Sequence, residues 1–93
     1  MTIGLLQIDL VIPGSRSLKQ KRRALNSLKQ VLRNKFNCSV AEIGYKDNWS
    51  RTQLAVCVVS DESRHANSQL SEIVRFASSN GRAEMVDHTI EML

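Results

Sequence analysis

Aromatic side chains are almost missing from this chain of 93 residues, which has one Trp, one Tyr and two Phe. A core must therefore be assembled from Leu, Ile, Val and Ala, and the 42% hydrophobic content is enough for one folded domain rather than a disordered tail. Proline occurs once, at Pro13. The two cysteines, Cys38 and Cys57, form no CxxC pair and have no His or Cys neighbour at ligand spacing. That spacing speaks against a structural zinc, and the thiols read as small packing residues. No apolar run is long enough to span a bilayer. The start Met1-Thr2-Ile3-Gly4 lacks a basic segment ahead of an apolar stretch, so no signal peptide is expected and the cytoplasm is the expected location. There is no repeat, low-complexity run or linker, which predicts a single domain over 1–93.

The most informative absence is that of acids from one stretch. Residues 13–36, "PGSRSLKQKRRALNSLKQVLRNKF", hold Arg16, Lys19, Lys21, Arg22, Arg23, Lys29, Arg33 and Lys35 and neither Asp nor Glu. Beyond it, five cations (Lys46, Arg51, Arg64, Arg75, Arg82) face eight acids. The net charge of +4 therefore arises from one segment.

The rest of the sequence reads as a succession of elements. Alternation in "TIGLLQIDLVI" predicts a strand over 2–12, with Leu6, Ile8, Leu10 and Ile12 on a wholly apolar face and Ile3, Leu5, Gln7, Asp9 and Val11 on a mixed one. Pro13-Gly14 ends it. Ser17 with Gln20 makes a capping box, and Leu18, Leu25, Leu28, Val31, Leu32 and Phe36 recur at helical spacing, predicting a helix over 18–36. Lys21 and Lys35 flank that stripe and are expected to extend their heads to solvent.

Strands over 38–47 and 52–59 are predicted to pair as a hairpin through Asn48-Trp49-Ser50-Arg51. A turn centred near Trp49 places Cys57 opposite about Val40 and Cys38 opposite about Val59, so the thiols are not partners. Ser60 or Asp61 caps a second helix over 62–80 with the stripe Ala66, Leu70, Ile73, Val74 and Ala77, and Asn80-Gly81 is its stop. A last strand over 83–92 has Val86, Ile90 and Met92 inward. The order βαββαβ predicts a ferredoxin-like α+β plait: a four-stranded antiparallel sheet with both helices on one face.

Three stretches carry a family resemblance: the first strand leading into "IPGSRSLKQKRRALNSL", the middle "VLRNKFNCSVAEIGYKDNWSRTQLAVCVVS", and "IVRF" followed by an acidic strand. Together they resemble the YlxP-like bacterial domain of unknown function. The resemblance implies a small bacterial cytoplasmic protein with this plait. It also implies, through genes often placed beside translation-initiation and ribosome-maturation factors, a ribosomal or RNA setting. It supplies no catalytic residues. Members carry bulky or β-branched residues near the middle of the last strand, where this chain has His88.

Two surfaces are candidates for binding. Arg16, Lys19, Arg22, Arg23, Lys29 and Arg33 can lie along a phosphate backbone, the partner being a structured RNA or a ribosomal subunit. The bland alternative is a solvated face. However, eight cations without an i,i+4 acid repel one another, and several crowd the helix N-terminus, where the dipole disfavours them. The second surface is the open sheet face. Ile3, Leu5, Ala55, Cys57, Val59 and Met85 are expected to project from it, an apolar patch that suits a sheet-on-sheet homodimer; the alternative function is a dimeric protein–protein adaptor whose basic helix meets an acidic partner. Trp49 can stack on a base, anchor a protein contact, or fold back over the sheet edge.

Sheet-face stacking of the RNA-recognition-motif type is excluded, because the first and third strands have no aromatics. Gly14, Ser15, Arg16 and Ser17 form an anion-friendly loop resembling that of the acylphosphatases, which share the plait. That chemistry needs a carboxamide on a neighbouring strand, for which Gln53 is the one weak candidate. His65 and His88 have no partner ligand nearby in sequence. No catalytic residue, metal or cofactor is expected, and the reading is of a non-enzymatic protein.

Overall fold

The computed structural model describes residues 1–79 and 81–93. Its elements run β1 (Thr2–Val11), α1 (Leu18–Lys35), β2 (Ser39–Gly44), β3 (Arg51–Ser60), α2 (Ser63–Ser79) and β4 (Glu84–Met92). The sheet order is β2-β3-β1-β4, with all neighbours antiparallel. This is the ferredoxin-like α+β plait expected from the element order. No helix among the described residues is long and apolar enough to cross a membrane.

The core is aliphatic. Leu6, Ile8 and Leu10 of β1 and Leu54, Val56 and Val58 of β3 turn one face toward Leu25, Leu28 and Leu32 of α1 and Leu70, Ile73 and Ala77 of α2. Strict alternation in β1 and β3 makes this possible, since a period of two sends every second side chain to the same side. Gly4 belongs to that side, and a Cβ there would stand 2.8 Å from Leu70 Cδ1, so the absence of a side chain lets α2 approach β1. The two Phe residues meet edge to face, Phe36 against Phe76 with centroids 6.0 Å apart, where the C-terminal end of α1 reaches α2.

The capping pair Ser17–Gln20 forms, with the reciprocal bond going to the amide one residue before the cap. Ser17 Oγ accepts from the Gln20 amide at 3.1 Å, while Gln20 Oε1 accepts from the Arg16 amide at 2.7 Å. Gly81 takes φ +77, a left-handed conformation suited to a helix stop; the accompanying position 80 lies outside the described residues. Ser60 Oγ accepts from the Glu62 amide ahead of α2.

Two bulges correct the expected pairings. Between β1 and β4 the register changes after Asp9, so that Asp9 faces Asp87 but Leu10 faces Met85. Val86 is the extra residue, which inverts the expected orientations around it. Met85 packs against the core instead of projecting from the open face, and Val86 is exposed instead of inward. Between β2 and β3, Gly44 faces Gln53 as a turn near Trp49 requires, but Ile43 is then skipped and Glu42 faces Leu54. Cys57 consequently opposes Ser39 rather than Val40. Both thiols are free: Cys38 packs toward the helices with its Sγ 3.7 Å from the Leu32 carbonyl, and Cys57 lies on the open face.

A candidate polyanion-binding face on the first helix

Eight cations converge on α1 and the loop before it, and the structure divides them into two groups. Three are held by the protein itself. Lys21, expected to reach solvent, is buried, with its ammonium 3.0 Å from the Glu42 carboxylate and donating to the Tyr45 carbonyl. Its spacing explains this: residues 21, 25, 28 and 32 follow the i, i+4, i+7, i+11 pattern, so Lys21 continues the line of Leu25, Leu28 and Leu32. Arg33 donates from Nη2 to the Val40 carbonyl at 2.9 Å, covering part of the free edge of β2. The Lys35 ammonium lies 5.0 Å from the centroid of the Phe76 ring.

The other five are Arg16, Lys19, Arg22, Arg23 and Lys29. All are exposed except half-buried Lys29, and none enters an ion pair among the described residues. The acids that would be the natural neutralisers, Asp61, Glu62 and Glu72, pair with none of them. Helical geometry stacks Arg22, Lys29 and Arg33 almost in line at separations of seven and four residues, with Lys19 and Arg23 farther round toward solvent. The line follows the flank of α1 nearest β2, since Arg33 reaches Val40 and the field of Lys29 is felt at Glu42.

Glu42 joins helix and sheet. Thr52 Oγ1 donates to its Oε2 at 2.7 Å, on the same oxygen that meets Lys21. Burial by itself would raise this carboxyl. The Thr52 hydroxyl, the Lys21 ammonium and the field of Lys29 outweigh burial and hold it below the ordinary value.

The loop before α1 offers fewer free donors than its sequence suggests. The Ser15 amide donates to the Ile12 carbonyl, and the Arg16 amide is taken by Gln20. Gln53, the one carboxamide considered for hydrolase chemistry, lies on the open sheet face over Gly44, where a Cβ would meet its Oε1 at 2.7 Å. His65 and His88 are both exposed, on α2 and β4. Among the described residues, no group of three or more His, Cys, Asp or Glu side chains is placed to hold a metal ion.

The open sheet face has two halves. At one end Ile3, Leu5, Ala55, Cys57 and Val59 form an apolar area, Val59 being 64% exposed. At the other end Asp9 faces Asp87 across β1 and β4, and an Arg51 nitrogen lies 3.9 Å from Asp9. Trp49 stands apart from the apolar half. It follows the β2 end of the hairpin and lies beside the loop before α1, where its carbonyl accepts from Ser15 Oγ at 2.6 Å.

Comparison with known proteins adds a family without a function. The chain is 35% identical over 77 residues to the uncharacterized protein YlxP of Bacillus subtilis (strain 168), an overlap covering 83% of this chain and 84% of that protein. Residues 3–90 match a family described as a protein of unknown function, DUF503. With nearly its whole length matched and the plait in place, the chain belongs to the DUF503 family.

Proposed function

We propose that this protein is a non-enzymatic, cytoplasmic binding protein that docks on a structured RNA or a ribosomal subunit through the exposed face of α1. One observation carries the reading: Arg16, Lys19, Arg22, Arg23 and Lys29 form no ion pair among the described residues, and Glu42, whose field Lys29 feels, is already paired with Lys21. Such a face is unfavourable for an isolated helix, and phosphates laid against it relieve the repulsion while releasing counterions. Arg33 belongs to the same line, although one of its nitrogens is engaged by Val40.

Filter binding to a structured RNA tests this. Replacing Arg22, Arg23 and Lys29 together with Ala weakens binding across sequences and reduces the salt slope by about 2–3, at roughly 0.7–0.9 for each contact removed. Unchanged affinity overturns the proposal. Co-sedimentation with ribosomal subunits at low and high salt then identifies a ribosomal partner.

A second reading is a dimeric adaptor: the apolar half of the open sheet face, Ile3, Leu5, Cys57 and Val59, suits a homodimer, and the basic face of α1 meets an acidic protein partner. Sedimentation equilibrium of the wild type and of Leu5→Lys distinguishes it: a dimer that this substitution dissociates supports the reading, and a monomeric wild type ends it.

A further inference from the structure

The hairpin between β2 and β3 exposes the sole tryptophan and the sole tyrosine of the chain at the N-terminal end of the basic helix. Trp49 is 58% exposed and Tyr45 is 45% exposed. Large aromatics at a loop tip normally fold inward, and a mobile tip would scatter them. Here the backbone is anchored on both sides of the Lys46-Asp47 turn. The Tyr45 carbonyl accepts from the Asn48 amide and from the buried Lys21 ammonium. Asn48 Oδ1 accepts from the Ser50 and Arg51 amides, both at 2.9 Å. The Trp49 carbonyl is held by Ser15, and the Ser50 carbonyl by the Ile12 amide. The backbone is thus tied to β1, to the loop before α1 and to α1 itself.

Tyr45 adds a second mark. It is the one non-glycine residue with a left-handed backbone among the described residues, at φ +58, an unusual conformation for a bulky side chain. Strain of this kind persists only where the surroundings over-determine it, and it clusters at binding sites. The Arg51 guanidinium lies 4.6 Å from the centre of the Tyr45 ring and covers one of its faces. Lys46 follows Tyr45, and Arg16 follows Ser15, which holds the Trp49 carbonyl; both cations are exposed, so the hairpin tip lies beside the cationic start of α1.

From this arrangement we infer that Trp49 and Tyr45 form a stacking platform for unpaired bases, so that the polyanion on α1 is a polynucleotide with a single-stranded segment. Exposed aromatics on an anchored backbone, beside exposed cations, suit single strands, because every base offers a π-face and a paired helix does not release it. Ordering in the free protein reduces the entropy lost on binding. The platform differs from that of the RNA recognition motif, which stacks bases on the middle of the sheet. The inference rests on the phosphate-docking reading proposed above.

The sole Trp makes the test direct. Wild-type protein is titrated with an RNA hairpin bearing a ten-nucleotide unpaired loop, with a fully paired RNA duplex having the same number of phosphates, and with the DNA version of the loop. The loop RNA is expected to quench Trp49 emission and to bind about tenfold or more tighter than the duplex. Trp49→Ala is expected to abolish that advantage, Trp49→Phe to retain part of it, and both to leave duplex affinity and its salt slope unchanged. Equal quenching by the DNA loop supports a platform that reads bases without the ribose; weaker quenching supports RNA as the ligand. If Trp49→Ala binds loop RNA as tightly as the wild type while replacement of Arg22, Arg23 and Lys29 still weakens it, the platform is overturned and phosphate docking stands. If the wild type binds none of the three, the docking reading falls and the platform with it.

Discussion

The Lys21 ammonium lies 3.0 Å from the Glu42 carboxylate, although Lys21 belongs to the most cationic segment of the chain and its neighbours Arg22 and Arg23 are exposed. One cation of eight is therefore turned inward to tie α1 to the edge strand β2 and, through the Tyr45 carbonyl, to the hairpin tip. The same contact supports the fold and positions the proposed platform.

Breaking that pair is expected to be costly. Lys21→Met keeps the volume but leaves Glu42 with Thr52 alone, and should destabilise the protein by about 2–3 kcal/mol, at the low end for a buried pair because Glu42 retains some water contact. Adding Glu42→Leu should recover much of the loss. Urea unfolding of the single and double variants measures both, and an unaffected single variant would show that the pair contributes nothing.

Stability should fall in acid through Glu42. Its carboxyl is held below the ordinary value of 4.5 in the folded state, so the unfolded chain binds the proton more readily. The contribution is complete above the unfolded value and disappears as pH drops through the folded one. Urea midpoints of wild type and Glu42→Gln taken from about pH 6 to about pH 3 should therefore converge toward the acid end. A constant gap would disprove the assignment.

Gly4 should not accept a side chain. A Cβ would stand 2.8 Å from Leu70 Cδ1 and 3.2 Å from Val58 Cγ2, inside a packed layer. Gly4→Ala is expected to cost about 1–3 kcal/mol by overpacking. At roughly 4–8 °C for each kcal/mol in a domain of this size, thermal unfolding resolves it easily.

Cys38 should alkylate slowly. Burial pushes its thiol up, opposed by the nearby Arg33 guanidinium. In a Cys57→Ser background, the pH–rate profile of Cys38 alkylation should have a midpoint above that of an ordinary thiol, and Arg33→Ala should raise it further. A midpoint at or below the ordinary value would refute this.

The element order was legible because each signal is local. Alternation marks β1 and β3, the Ser17–Gln20 box starts α1, and Gly81 follows α2. Seven of the eight cations face solvent at least in part, and for those on the helix the reason is the same, since their distance from the Leu25–Leu28–Leu32 line can be counted along the chain. The fate of Lys21 was partly visible, as it stands on that line. What hid it was its partner, Glu42, which lies 21 positions away on a strand whose bulge no local pattern reveals.

The amino-acid sequence by itself determined the plait, the aliphatic core and the acid-free helix, because periodicity, capping and charge are properties of neighbours in the chain. Tertiary structure decided which cations are neutralised, which way Met85 and Val86 turn, and that Trp49 and Tyr45 meet the start of α1. These outcomes depend on one-residue bulges and long-range hydrogen bonds. A single inserted residue reverses every side chain near it, and a buried ammonium can only be placed once its carboxylate, hydroxyl and carbonyl partners have been brought together from separate strands.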